Sequence, residues 1–427
     1  MPRTSLVPLG LMQTGPAVKP ALVFLCQRIP YPPIKGDRIT SYNVLRHLTR
    51  HYRVFLGTFF DQPGDGAGTP TLRGMVEALH IEGIRKPWAY ARALPRWLMG
   101  EPISYALFRS RRLDRWLDEV EAKHKPVAIV AYSSNIATYA IDKFRRSGTS
   151  EPRRILIFGD VDSEKFVAYA QRARGLFKRV FAIEARRVRR EELRLARRAD
   201  VVTLVTEDEA ELFRRVHSAD CGNIAVLPNG VDTEIFDPKR YSEAPFSHPG
   251  PVFTFTGAMD YLPNVEAVSW FAREVFPGIR KVLPDAGFLI VGARPAAEVQ
   301  QLARWKGVVV TGRVESTAAY LAHTTVAVAP LQIARGVQNK VLEAMAMACA
   351  VVASQGAMTG IAAKPGEHLI CAETPEQWID ACVSLARNSG AAQSMGHAAR
   401  QLMLDTYNWE AQFARLDDML GATRAAK

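Results

Sequence analysis

Short apolar runs recur along this chain at intervals of a few tens of residues. In the first half they are Ala21–Cys26, Val54–Thr58, Val127–Ala131, Ile155–Phe158, Val201–Val205 and Ile224–Leu227. In the second half they are Val252–Thr256, Phe288–Val291, Val308–Thr311, Val326–Ala329, Val351–Ala353 and His368–Cys371. Near-continuous Val/Ile/Leu runs, without polar alternation, predict strands of a parallel sheet buried on both faces. Amphipathic stretches such as Ser41–His51 and Arg111–Lys123 lie between them and predict helices. Strand and helix alternate in this way twice, which predicts an α/β protein with two doubly wound domains. No internal sequence repeat accompanies the alternation. A length of 427 residues agrees with two domains of roughly 200 residues each.

The segment Phe236–Pro251 holds four prolines and reads as the interdomain region. The expected organisation is therefore a disordered tail over 1–20, a first domain over 21–235, a second over 236–405 and a terminal helix within 406–427. Pro63–Gly68 is glycine-rich but opens no convincing helix, and reads as a flexible loop.

Hydrophobic residues at 48% and charged residues at 23% are proportions of a soluble globular chain. The longest apolar stretch, Ala344–Ala353, falls short of the ~20 residues needed to span a bilayer. Pro8, Gly10, Gln13, Gly15 and Pro16 interrupt any signal-peptide core. Five scattered cysteines without a C-x-x-C pair suggest reduced thiols in the cytoplasm. The net charge of +12 is lopsided: up to Pro228 there are 38 Lys+Arg against 24 Asp+Glu, and from Asn229 onward 17 against 19. Arg172–Arg198 alone holds eleven basic and three acidic residues. That segment is either a solvated helix face or a surface drawn to anionic lipid or a lipid-diphosphate acceptor. It carries two aromatic residues, Phe177 and Phe181, and no nucleic-acid motif, so no nucleic-acid partner is expected.

The most informative segment is Arg335–Ser354, which reads as polar loop, Ala/Met-rich helix over about Asn339–Ala348, and strand. Lys340 falls in the first helical turn, where a cation and free backbone N–H groups together can hold a phosphate. Glu343 lies one turn along on the same face, where it can accept hydrogen bonds from a ribose diol. An ordinary amphipathic helix with two solvated charges would look similar.

This segment resembles the nucleotide-sugar helix of retaining glycosyltransferases of family 4, which read Lys-x-x-Glu-Ala-Met-Ala-x-Gly-x-Pro-Val-Val. Leu227-Pro-Asn-Gly-Val-Asp232 resembles the end of that family's first domain. Thr256–Phe271 with Phe288–Gly292 is similar to the opening β-α-β of its second. Arg28–Arg38 and Phe158–Lys165 resemble a bacterial subgroup found with exosortase-linked (PEP-CTERM) exopolysaccharide systems. The resemblance spans about residues 20–420. It implies the GT-B fold, two doubly wound Rossmann-like domains facing a central cleft, with the last helix crossing back to the first domain. It also implies an enzyme that moves a hexosyl group from a nucleotide-diphosphate sugar to a lipid-linked or glycan acceptor. Such an enzyme would work in the cytoplasm, on the inner face of the plasma membrane.

The same resemblance makes Glu343 the ribose-binding acid, with Lys340 and Asn339 holding the diphosphate. Arg294 follows the strand Phe288–Val291 and is either a second cation or a loop arginine. Gly257 follows the first strand of the second domain and belongs to the donor site. Gly36 would let backbone approach a phosphate, or simply make a turn. Asp160 and Asp162 stand where many relatives place a histidine near the reacting carbon. Either could take the acceptor proton as general base, or cap the following helix. No trusted metal motif is present, so neither metal nor cofactor is expected beyond the donor. Two departures fall at the sugar contacts: Arg335 replaces the family's glutamate, and Ala258, Met259 and Asp260 follow Gly257 in place of Arg and Lys. Two other classes remain, a nucleotide-sugar 2-epimerase on the same architecture and a non-catalytic nucleotide-sugar-binding protein.

Overall fold

The computed structural model describes residues 19–33, 36–60, 65–84, 86–144, 151–217, 221–332 and 336–421. The first unit opens with β1 Ala21–Cys26, α1 Gly36–His51, β2 Arg53–Phe60, α2 Thr69–Met75 and β3 Ala78–Gly83. It continues through α3 Lys86–Leu98, α4 Ile103–Ala106, α5 Arg111–His124, β4 Ala128–Tyr132 and α6 Ala137–Asp142. It closes with β5 Arg153–Gly159, α7 Asp162–Arg172, α8 Gly175–Ala196, β6 Val201–Leu204, α9 Glu207–His217 and β7 Ile224–Val226. The second unit begins β8 Val252–Thr256, α10 Leu262–Trp270, α11 Phe276–Val282, β9 Gly287–Val291 and α12 Ala297–Leu302. There follow β10 Val308–Gly312, α13 Thr317–Ala322, β11 Val326–Ala329, α14 Asn339–Ala346, β12 Ala350–Ala353 and α15 Gln355–Met358. Last come β13 Ile370–Cys371, α16 Pro375–Arg387, α17 Ser389–Leu402 and α18 Trp409–Leu420.

The described strands form two parallel sheets, ordered β3-β2-β1-β4-β5-β6-β7 and β10-β9-β8-β11-β12-β13. In β1, Val23 and Leu25 pack into one core while Leu22, Phe24 and Cys26 pack into another. Both faces of the strand are dry, which is why the sequence shows an unbroken apolar run and no period of two. Strand order reverses between β1 and β4 and again between β8 and β11, and ligands of doubly wound sheets bind outside the carboxyl ends at such points.

The last helix, α18, packs on the first unit. Trp409, Phe413 and Leu416 join the core that holds Leu22, Phe24 and Val44, and each such burial contributes roughly 1.5–3 kcal/mol. Phe413 stacks on His47 at 4.3 Å, and His47 Nε2 lies 2.8 Å from Asp417 Oδ1. Where the chain leaves the first unit, the Val231 N–H donates to the Tyr407 carbonyl at 2.7 Å. The two units are thereby tied at both crossings.

Several sequence expectations need correction. Asp65–Gly68 forms a single helical turn leading into α2, whose start is set by Pro70, a residue suited to a first helical turn. β3 was not expected: it is a half-exposed edge strand with none of the apolar run of its neighbours. α14 stops at Ala346, and Ala348 has a left-handed backbone with φ of 54°. Of the tail expected over 1–20, residues 1–18 lie outside the described residues, as do Arg335 and the start of the Pro63–Gly68 loop. Pro20 is held in place, its carbonyl accepting the Arg53 N–H at 2.9 Å. Among the described residues, no helix is long and apolar enough to cross a membrane.

Candidate active site

A cleft of about 1260 Å³ runs between the two units, lined by the loops after β1, β4, β5, β8, β9 and β10 and by the start of α14. Single small-molecule pockets span ~300–1,000 Å³, so this one has room for two substrates side by side.

On the side of the second unit, α14 presents its N-terminus to the cleft, and among the described residues no side chain caps it. Its first-turn N–H groups are therefore open to an anion. Lys340 reaches from this turn over the Phe255 ring, 4.9 Å from its centroid, and donates to Asn264 Oδ1 at 2.7 Å. Asn264 is buried and is itself fixed by donating from Nδ2 to the Ala258 carbonyl at 2.9 Å. Burial pulls the Lys340 pKa down to about 8, with the Glu343 charge opposing the shift. Burial likewise pushes Glu343 up to about 7, with Lys340 opposing. The pair thus sits half-desolvated at the cleft floor, and an incoming anion would raise the lysine pKa by supplying the charge that solvent no longer does.

Backbone passes close here. A Cβ on Gly292 would lie 1.7 Å from the Gly257 carbonyl oxygen, so only glycine lets the loops after β8 and β9 pack together. Gly257 in turn lies against Asn264 and the Lys340 stem.

Arg294 lines the same cleft but is not a free cation. Its Nε and Nη2 donate to the two oxygens of Asp260 at 2.6 and 3.1 Å, a bidentate pair at an exposed rim. Asp260, one of the sequence departures, thus compensates the arginine that the sequence left as either a second cation or a loop arginine.

Across the cleft, the loop Asp160-Val161-Asp162 after β5 is held from several sides. Lys165 Nζ lies 3.0 Å from Asp160 Oδ2 and 2.9 Å from Asp162 Oδ1. Burial alone would lower the Lys165 pKa, but Asp162 and Asp160 more than offset it and push it up. Asp162 Oδ2 also accepts from Ser134 Oγ at 2.5 Å. Asp162 is the first residue of α7 and makes no cap bond. The helix start is served by Glu209, accepting the Val161 N–H at 2.8 Å, and by buried Glu192, accepting the Ser163 N–H at 3.0 Å. The capping alternative for Asp162 therefore has no hydrogen bond behind it.

The halves meet. Gly336, with φ of 63°, passes so near Asp160 that a Cβ there would sit 3.0 Å from its Oδ1. Thr40 Oγ1 donates to Asn229 Oδ1 at 3.0 Å, and Asn229 Nδ2 donates to Asn339 Oδ1 at 3.4 Å. Gly36, at the start of α1, faces the same Asn339 side chain. The loop Asp160–Asp162, the crossover and α14 are thus contiguous, and all eight sequence candidates line one cleft.

Residues that sequence reasoning missed include Asn264, Lys165, Ser134 and Arg313. The last is an exposed cation just past β10 with no ion-pair partner among the described residues. Lys165 was visible as the third residue after Asp162, the spacing of neighbours on one helix face. Among the described residues, the one group of side chains close enough to share a metal ion is His47, His51 and Asp417, at the α1–α18 seam.

The fold is shared with solved glycosyltransferase structures. Over 96% of this chain and 100% of the other, it matches sucrose-phosphate synthase from Thermosynechococcus elongatus with a TM-score of 0.69 at 15% identity. A glycosyltransferase from Rickettsia africae matches over 96% and 100% with a TM-score of 0.65 at 13% identity. HepE of Anabaena, solved in complex with UDP, matches over 94% and 100% with a TM-score of 0.63 at 12% identity. The architecture is GT-B. Residues 250–388 match the model of the family described as glycosyl transferases group 1. With that domain on this fold, the chain is a glycosyltransferase. No curated sequence matches it.

Proposed function

We propose that the protein is a retaining glycosyltransferase of the family 4 type that uses a nucleotide-diphosphate sugar. One observation carries the reading: Lys340 and Glu343 sit one turn apart, half-desolvated, on a helix whose uncapped N-terminus opens on the cleft. In this reading Glu343 accepts the ribose hydroxyls. The Asn339–Lys340 turn holds the diphosphate, with Gly257 and Gly36 allowing close backbone approach. Arg294 contributes only if the donor displaces Asp260 from it. The C1–O bond to the diphosphate breaks with its electron pair going to the departing phosphate, whose charge Lys340 and the helix N-terminus stabilise. The acceptor hydroxyl attacks C1 from the same face, and its proton passes to Asp160, which faces the donor half, while Asp162 holds Lys165 and Ser134 in place. The reading calls for no cofactor beyond the donor.

The acceptor class is a lipid-linked or saccharide chain of exopolysaccharide assembly, and the setting is the inner face of the plasma membrane. The Arg28–Arg38 and Phe158–Lys165 motifs support the exosortase-linked subgroup, and the basic first unit supports anionic surroundings. The direct test is to supply donor sugars with polyprenyl-diphosphate or oligosaccharide acceptors and follow the anomeric signals by NMR. The expected product keeps the donor's anomeric configuration. Inversion would remove the retaining assignment, and release of an epimer without acceptor would replace transfer by epimerisation.

A further inference from the structure

Helix α3 is built inside out. Its inward row runs from the small buried residues Ala89 and Ala93 to half-buried Trp97 at its end. Its outward positions carry the large apolar side chains: Trp88 is 76% exposed, Leu94 51% and Leu98 69%, with Met99 just beyond at 78%. A helix that only needed to dock on its own domain would turn its leucines inward. Single exposed apolar residues are common, but a run of them along one helix marks an interaction surface.

A second apolar tip lies at the start of α8, where Leu176 and Phe177 are 73% and 68% exposed. Arg172, Arg174, Lys178 and Arg179 flank it, and none has an ion-pair partner among the described residues. Exposed Arg92 adds a cation on α3.

Residues midway along α8 tie it to the end of α3. The Arg187 guanidinium of α8 stacks on Trp97 at 4.7 Å from the ring centroid, and Arg190 donates to the Gly100 carbonyl at 3.0 Å. Glu184 of α8 accepts the Ile103 and Ser104 N–H groups at 3.0 and 2.9 Å, fixing α4. Ser104 and Tyr105 of α4 line the Asp160 side of the cleft. The outward apolar face is therefore rigidly coupled to the half of the cleft assigned to the acceptor.

We propose that α3 and the start of α8 form a docking face for an anionic lipid bilayer. Trp88, Leu94, Leu98 and Phe177 enter the headgroup–acyl boundary, and the unpaired arginines and Lys178 meet lipid phosphates. Apolar side chains ringed by cations, with a tryptophan among them, are the chemistry that holds a helix flat in that boundary. The use of this face, to bring the acceptor half of the cleft to a lipid-linked substrate, rests on the proposed function; the binding itself rests on the surface.

The test is cosedimentation of the full-length protein with phosphatidylcholine vesicles, with and without phosphatidylglycerol. Wild type should bind only the anionic vesicles at low salt. The double variants Leu94→Ser/Leu98→Ser and Arg174→Glu/Lys178→Glu should each weaken binding by roughly tenfold or more. Added salt should weaken wild-type binding steeply and shrink the difference made by the charge variant. Wild type indifferent to phosphatidylglycerol, or variants that bind as wild type does, would overturn the proposal. So would light scattering showing a dimer that Leu94→Ser/Leu98→Ser dissociates, since the face would then serve a second copy of the chain. Nucleoside-diphosphate binding is measured by calorimetry on the same samples. Vesicle binding without nucleotide binding leaves the docking face standing and removes the proposed function; the reverse removes the docking face alone.

Discussion

Replacing Lys340 with methionine should lower turnover at saturating donor by roughly 10²–10³-fold, the usual cost of removing one preorganised charge from a transition state. Methionine keeps most of the stem, so what is lost is the ammonium over Phe255 with its charge and its bond to Asn264. Negative charge on the departing diphosphate grows as the C1–O bond breaks. The rate should therefore suffer more than ground-state affinity. Steady-state kinetics with a calorimetric Kd separates the two, and a variant that binds weakly but turns over normally would refute the role.

The pH profile gives a second reading of the same lysine. Its pKa in the empty cleft is lowered to about 8, and a bound diphosphate raises it. Donor affinity should accordingly be steady below pH 8 on this limb and fall above it, by about tenfold per pH unit. Lys340→Arg, which stays charged, should abolish that fall.

Glu343→Ala should weaken donor binding by about 1.5–3 kcal/mol, the worth of a hydrogen bond to a charged group, or on the order of 10–150-fold in Kd. The side chain sits at the cleft floor and forms no hydrogen bond among the described residues, so unfolding temperature should change little. Glu343→Gln should recover part of the affinity, because the amide oxygen still accepts while the charge is gone. Its own ionisation adds an acid limb: with its pKa pushed up to about 7, the carboxylate is lost as pH falls through that value and affinity declines with it. Unchanged affinity in both variants at pH 8 would sink the ribose assignment.

How much of this was readable beforehand follows from locality. Strands such as Ala21–Cys26, Val252–Thr256 and Val326–Ala329 are buried on both faces, and an unbroken apolar run is a local signal. The edge strand β3 is half-exposed along its length and left no such signal. Lys340 and Glu343 were legible because one helix turn holds both. Their anchoring was not, since Asn264 meets Lys340 across 76 residues of sequence and Asp260 meets Arg294 across 34. The same holds for the acid loop. Asp160-Val161-Asp162 stands out in the sequence, but the Glu209 and Glu192 carboxylates that free Asp162 from capping come from α9 and α8. Helix α3 shows a different limit. Its apolar residues have helical spacing, and periodicity alone cannot say which face turns to the protein.

The central claim is that the uncapped start of α14, with Lys340 and Glu343, binds a nucleoside diphosphate. Its most direct test is a thermal-shift panel of UDP, GDP, ADP, CDP and dTDP, with their sugar conjugates, on wild type and Glu343→Ala. The account predicts that one nucleotide series raises the wild-type Tm in a concentration-dependent way and leaves Glu343→Ala nearly unmoved. A wild type that no nucleotide stabilises, or a Glu343→Ala variant stabilised as strongly as wild type, would contradict it.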